Sequence, residues 1–301
     1  MSKKNIGYCC LVFICVVWGT TYLFTRMAVA SFPAFFFSGV RNVCAGLLLL
    51  LLLAFTKHKF SWTLSNIIPN VISGMMIVGL GSGLVTWSVK FIPSGLASLI
   101  CTLMPLNIVL LSLFIQKTSK LNFLILMGIV SGLLGMSFIF RDNVRDLANP
   151  AYAMGVFIAF IGCVCWSAGT VFSRMKTGHT NSFYNAALQL LAGGLLSLMM
   201  SLFSGEWNHL DTIKPESIAA LVYLIVVGSA AAFSAYQYAL TSLPVGLVAT
   251  YAYVNPLIAV LLGYLVLSEK LTGFTCMAFI LTLAGVYLVN KGYKLKKIPV
   301  T

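Results

Sequence analysis

Charge is scarce in this sequence. Of 301 residues only 8% are charged and six are Asp or Glu, whereas a soluble domain carries roughly a quarter charged residues, so the chain cannot build a water-facing surface. None of the six acids falls deep within an apolar run. A membrane enzyme would need an HExxH pair, a serine with nearby His and acid, or paired carboxylates, and none is present. The chain therefore reads as a non-enzyme. It lacks a P-loop, so ATP does not drive it from within this chain. His58, His179 and His209 sit in three separate loops, which leaves no Cys/His cluster for a metal and calls for no cofactor.

What the sequence has instead is apolar length. Sixty per cent of it is hydrophobic, spread evenly from end to end. A bilayer core about 30 Å thick needs roughly 20 apolar residues at helical rise. Ten such segments can be placed, at 6–27, 34–56, 66–89, 94–115, 121–140, 152–173, 183–203, 217–240, 244–267 and 272–290. The first imitates a signal peptide in its Lys3-Lys4 start and Ala28-Val29-Ala30 stretch, but it is too long and carries Trp18, Tyr22 and Arg26 inside it. It reads as a retained helix. The eight cysteines all lie within apolar segments, as small buried side chains do.

The formal net charge of +13 would suggest nucleic acid in a soluble protein, but here the charges sort by loop. With the N-terminus cytoplasmic, twelve of nineteen Lys and Arg fall on the inner side, among them Lys3, Lys4, Lys57, Lys59, Lys117, Lys120, Arg174 and Lys291. The outer side receives all six acids with Arg26, Lys90, Arg141, Arg145, Lys214 and Lys270. This is the positive-inside pattern of a multi-pass protein with both termini cytoplasmic. Basicity here implies orientation in a lipid bilayer and no nucleic-acid partner.

The second half repeats the first. At an offset of 148 residues Trp18 meets Trp166, Phe24 meets Phe172, Arg26 meets Arg174, Gly46 meets Gly194 and Phe55 meets Phe203. At 151, Pro93, Gly95, Pro105 and Val109 meet Pro244, Gly246, Pro256 and Val260. Two units follow, 1–146 and 147–301, each with five helices. An odd number makes the second copy enter from the opposite side, so the repeats are inverted, as in many secondary transporters.

Together, Trp18-Gly19-Thr20-Thr21, Pro33, Arg41, Pro105-Leu106-Asn107 and Asn255-Pro256-Leu257 through Glu269-Lys270-Leu271 resemble the drug/metabolite transporter superfamily, in its EamA-type branch. The resemblance implies an all-α, basket-like fold of ten helices with a cavity lined mainly by helices 1, 3, 4, 6, 8 and 9. It also implies export or exchange of amino acids, related metabolites or drug-like compounds across a bacterial inner membrane, by a monomer or homodimer. One departure is that Ser119 stands where the second copy has Glu269.

Buried polar groups must find partners in the bundle or face a wet cavity, so polar stripes mark the interior. Helix one carries Trp18, Thr21, Tyr22 and Thr25, and helix three Ser82, Thr86, Trp87 and Lys90. Helix six offers Trp166 and Thr170, helix eight Gln237, and helix nine Tyr251 and Asn255; Thr102 of helix four is grouped with them. For any single Ser or Thr the plainer reading is interhelical glue. Gly79/Gly83 and Gly128/Gly132 read as packing seams. Trp18 and Trp166, central in their segments, either wall the cavity or pack the core.

Arg41 is the sharpest residue, because a cation inside a helix costs at least ~2.5–3.5 kcal/mol. It either faces the cavity or snorkels roughly 10 Å to the outer surface. Its repeat equivalent is the neutral Gln189. Pro105 and Pro256 each remove a backbone donor and kink helices four and nine in corresponding places. A zwitterionic or amphipathic organic solute fits this set, and the lack of deep carboxylates favours a facilitator or exchanger over a proton-coupled carrier, unless Glu269 couples.

Overall fold

The computed structural model describes residues 2–55, 63–116, 123–142, 148–177, 181–209, 213–267 and 273–295, and every regular element among them is helical. The segments are α1 (Lys3–Ala28), α2 (Ala34–Ala54), α3 (Leu64–Ser88), α4 (Ser94–Cys101 continued as Met104–Gln116) and α5 (Phe123–Asp142). The second set is α6 (Pro150–Lys176), α7 (Ser182–Phe203), α8 (Pro215–Ser242), α9 (Val245–Val248 continued as Tyr251–Leu267) and α10 (Gly273–Leu295). Seven helices are long and apolar enough to cross a bilayer among the described residues, and the apolar cores of α5, α9 and α10 are shorter. The protein is a polytopic membrane protein of ten helices in two inverted sets of five. Ser119, Glu269 and most of the lysines expected on the inner side lie outside the described residues.

Helix ends are set by local chemistry. Ser2 Oγ accepts from Asn5 N (3.2 Å), Asn149 Oδ1 from Ala151 N (3.0 Å) ahead of Pro150, and Asn181 Oδ1 from Phe183 N (2.8 Å). Each satisfies a donor the helix itself leaves open. The N-terminus of α2 follows Pro33 and is capped from afar. Glu206, in the short 3-10 turn after α7, accepts from Phe36 N (2.9 Å) and lies 4.0 Å from Lys90 Nζ, which ties α2, α3 and α7 on one face.

The repeat symmetry is visible as contact between equivalent elements. α2 packs along α7, α5 along α10, and Trp18 of α1 touches Trp166 of α6. Residues related by a two-fold axis can meet only beside that axis, so the axis runs through the middle of the bundle. Glycines let the paired helices close. A Cβ on Gly193 would lie 2.4 Å from Gly74 O and one on Gly74 2.3 Å from Gln189 O, at the α3/α7 crossing. Gly79 meets Leu196 there, and Gly285 of α10 presses on Gly128 and Gly132 of α5. Small residues at such crossings allow the backbone approach that holds membrane helices together.

Two irregularities recur in both halves. α3 turns π-helical over Met75–Ser82 and α8 over Leu224–Ala231, eight residues each in corresponding places. α4 breaks at Thr102-Leu103 and α9 at Ala249-Thr250, where the turns tighten to bonds such as Leu103 N to Ile100 O and Thr250 N to Leu247 O (both 3.1 Å). Each break precedes its proline. A proline cannot bond the carbonyl four residues back, which is Cys101 for Pro105 and Ala252 for Pro256.

The glycine seam yields a test. Gly193→Ala forces the α3/α7 backbones apart and should lower the thermal unfolding midpoint in detergent by several degrees, at a cost of about 1–3 kcal/mol. Gly273→Ala, with nothing within 4 Å of the new methyl, should leave it unchanged.

Candidate functional site

At the centre of the bundle lies a cavity that opens in part to solvent. α1 supplies Trp18, Thr21, Tyr22 and Thr25, and α3 supplies Ser82, Val85, Thr86 and Val89. Arg41 of α2, Cys101 and Met104 of α4, Trp166 of α6, and Tyr251, Ala252 and Asn255 of α9 complete the wall. The Trp18 and Trp166 rings meet edge to face with centroids 5.5 Å apart, and Tyr251 stands against Trp18 at 4.7 Å. Behind them Tyr236 of α8 packs on Trp18 (5.1 Å) and Tyr251 (5.8 Å). Edge-to-face contacts of this kind hold rings in fixed orientation. The result is a stiff aromatic floor at the two-fold axis.

The polar members are positioned by the irregular stretches. Trp18 Nε1 donates to Gly228 O (3.0 Å) and Arg41 Nε to Ser229 Oγ (2.8 Å), and both acceptors belong to the π stretch of α8. The Ser229 hydroxyl in turn donates to Asn42 Oδ1 (3.1 Å). Asn255 Nδ2 donates to the carbonyls of Cys15 and Tyr251 (2.9 Å each), joining α9 to α1. Arg41 is only 8% exposed, lines the cavity and donates to Ser229 there, the first of the two placements its position allowed.

Of the residues expected to form a site, the structure brings together Trp18, Thr21, Tyr22, Arg41, Trp166, Tyr251 and Asn255. Four stand outside the wall. Trp87 packs instead against Phe35 (5.3 Å, tilted) and edge to face with Phe91 (5.9 Å). The Thr102 hydroxyl bonds back to Leu99 O (2.7 Å) at the break in α4. Thr170 pairs with the Tyr236 hydroxyl (2.6 Å) behind the floor, and Gln237 belongs to a second polar cluster. Pro105 and Pro256 sit beside the breaks, and Cys101 and Ala252, whose carbonyls lie four residues before them, are both on the wall. The wall also takes in α2, while α8 contributes from behind, a change from the helix set that the resemblance implied. Cys101, Met104 and Ala252 were missed because nothing in their type announces a cavity.

That second cluster occupies the half of the bundle nearer the termini. Gln189 Nε2 donates to Asn70 Oδ1 (2.9 Å), Gln237 Nε2 to Gln189 Oε1 (2.6 Å), Asn70 Nδ2 to Asn185 Oδ1 (3.0 Å) and Asn185 Nδ2 to Thr177 O (2.9 Å). Gln189, Asn70 and Asn185 have no exposed surface and Gln237 has 1%. The network binds α3, α6, α7 and α8 together. The cavity, by contrast, lies toward the ends of α1 and α3 away from the termini. One side is hollow and the other is sealed.

Comparison with known proteins bears directly on this arrangement. The EamA-like transporter family matches residues 5–141 and again 153–291. The chain is 32% identical over 280 residues to an uncharacterized inner membrane transporter of Escherichia coli K12, YedA, covering 92% of this chain and 88% of that one. It is 23% identical to the uncharacterized transporter YoaV of Bacillus subtilis, over 99% of this chain and 100% of the other. A solved crystal structure superposes with a TM-score of 0.71 at 19% identity, covering 99% of both chains, and so shares the fold. Two copies of one family unit, arranged as inverted five-helix sets around a central cavity, make this chain a member of the EamA-like transporter family.

Proposed function

We propose that the protein is a secondary transporter that moves a small organic solute through the central cavity by alternating access, its inverted units being residues 1–146 and 147–301. The observation that carries this reading is the opposition of the two polar clusters: a cavity on one side of the Trp18/Trp166 contact and a sealed amide network on the other. Inverted repeats allow the halves to exchange conformations, so the sealed side of one state becomes the hollow side of the other. The breaks in α4 and α9 are the bending points. Both termini are cytoplasmic in this reading, on the strength of the positive-inside charge pattern, which makes the described state outward-facing. We read the protein as a carrier and not as an enzyme or receptor, working by export or exchange.

Two measurements test it. Purified protein in liposomes preloaded with a solute from a panel of amino acids, organic acids, nucleosides and sugars should show counterflow of at least one. Gln237→Ala leaves the buried Gln189 carbonyl oxygen without its donor, a loss of about 1–3 kcal/mol for the sealed state. Counterflow should change, and cysteines introduced near Asn70 should label at least tenfold faster from the cytoplasmic side. Absence of counterflow across the panel, with intact protein, would remove the carrier reading. For orientation, a C-terminal green fluorescent protein fusion should fluoresce and a C-terminal alkaline phosphatase fusion should be inactive.

A further inference from the structure

Arg41 is a buried cation held by groups from both halves of the chain. Ser229 accepts from its Nε at 2.8 Å and passes the hydrogen bond to Asn42 Oδ1 at 3.1 Å, while Asn42 Nδ2 is anchored on Ser38 O at 2.8 Å. The relay orients the hydroxyl so that a lone pair meets Nε and fixes the plane of the guanidinium. Among the described residues no other hydrogen bond and no ion pair is made by Arg41, so both terminal amino groups of the fork remain for whatever occupies the cavity that the side chain lines. No Asp or Glu lies on the wall. A desolvated cation without a counter-charge is unfavourable, and an anion that enters the cavity relieves it.

We propose that Arg41 is the anion-recognition residue of the cavity and that the solute is an organic monoanion, a carboxylate on an aromatic or apolar body. The proposal rests on the carrier reading above and names its substrate class. The planar fork matches the two oxygens of a carboxylate. One cation stands on the wall, so a doubly charged phosphate ester would keep net charge in a low-dielectric site, whereas a carboxylate is neutralised. The rings of Trp18, Trp166 and Tyr251 offer surface for the body. An added ammonium group meets amide and hydroxyl oxygens but no carboxylate, so an amino acid ranks below the matching acid and the matching amine ranks last. The charge belongs to one half only, because the repeat equivalent Gln189 is tied into the sealed network. The loaded cavity is therefore neutral and the empty one positive. Reorientation is easier loaded than empty, which favours exchange over net flux.

The test uses sets of three solutes that share a body and differ in charge: 3-phenylpropanoate, phenylalanine and 2-phenylethylamine, with corresponding indole and straight-chain sets. Binding to the purified full chain is read as the rise in unfolding midpoint with ligand concentration. The acids should stabilise most and the amines not at all. R41Q should weaken acid binding at least tenfold, and R41K should restore part of it. If R41Q does not yield folded protein, Ser229→Ala, which frees Nε but keeps the charge, should weaken the acids more than the matching amino acids and lower their counterflow in step. Amines equalling the acids, an R41Q protein that binds acids as before, or no acid binding from any set would each overturn the proposal. Acid binding without counterflow of any solute would remove the carrier reading and leave the anion site. Counterflow of amines or neutral solutes alone would do the reverse.

Discussion

A bilayer core offers no water, so each polar group that enters it must be satisfied by protein or must border a wet space. The interior of this protein follows from that constraint. Backbone groups are satisfied by winding into helices, and two groups of buried polar side chains stand out. Asn70, Asn185, Gln189 and Gln237 satisfy one another and have lost contact with solvent almost entirely. Arg41, Thr21, Thr25 and Thr86 border a cavity. A neutral amide is well suited to the first group because it both donates and accepts, so a small closed network can balance. A guanidinium only donates and suits the second.

Inverted repetition places these populations on opposite sides of one axis. Trp18 and Trp166, equivalent in the two copies and in contact, mark where it passes. Around them the copies have diverged. Where the second half has Gln189 and Leu190, the first has Arg41 and Asn42, and the hydroxyl of Ser229 comes from α8 of the other half to meet them. The fold therefore demands a polar residue near that crossing in both halves, but a charge in only one. A perfectly symmetric site would have duplicated the cation and doubled the cost of burying it.

The ten segments, their inverted pairing and most of the cavity wall were legible in the sequence, because apolar length, Trp and Pro positions and helical stripes are all local patterns. The bounds differ by a few residues at most helix ends, since Pro150 and Pro215 begin helices inside the polar flanks. What was not legible depends on neighbours. Trp87 stands on the polar stripe of α3 but packs against Phe35 across the interface. Thr170 and Gln237 are on the predicted faces yet are intercepted by Tyr236 and Gln189 before reaching the cavity. Ser229 looks like any small residue in an apolar helix. Only the adjacency of Arg41 and Asn42, two costly groups in one turn of α2, could have signalled that a partner was needed.

The π stretches were also invisible, and they bear on how the halves move. A π stretch carries an extra residue that an α-helical register must accommodate, and such stretches cluster at functional sites. Those of α3 and α8 occur in corresponding places, and the second supplies Gly228 O to Trp18 and Ser229 Oγ to Arg41. Regular α-helix would rotate these groups relative to the cavity. Resetting the register of α8 by one residue would therefore break the Trp18 and Arg41 contacts together. In the proposed exchange between states, the breaks beside Pro105 and Pro256 would supply the bend, and the π stretch of α8 would couple it to the cation. A carrier in which occupancy of Arg41 decides whether the halves exchange needs both devices, and it needs them where they are found, on the helices that meet at the Trp18/Trp166 contact.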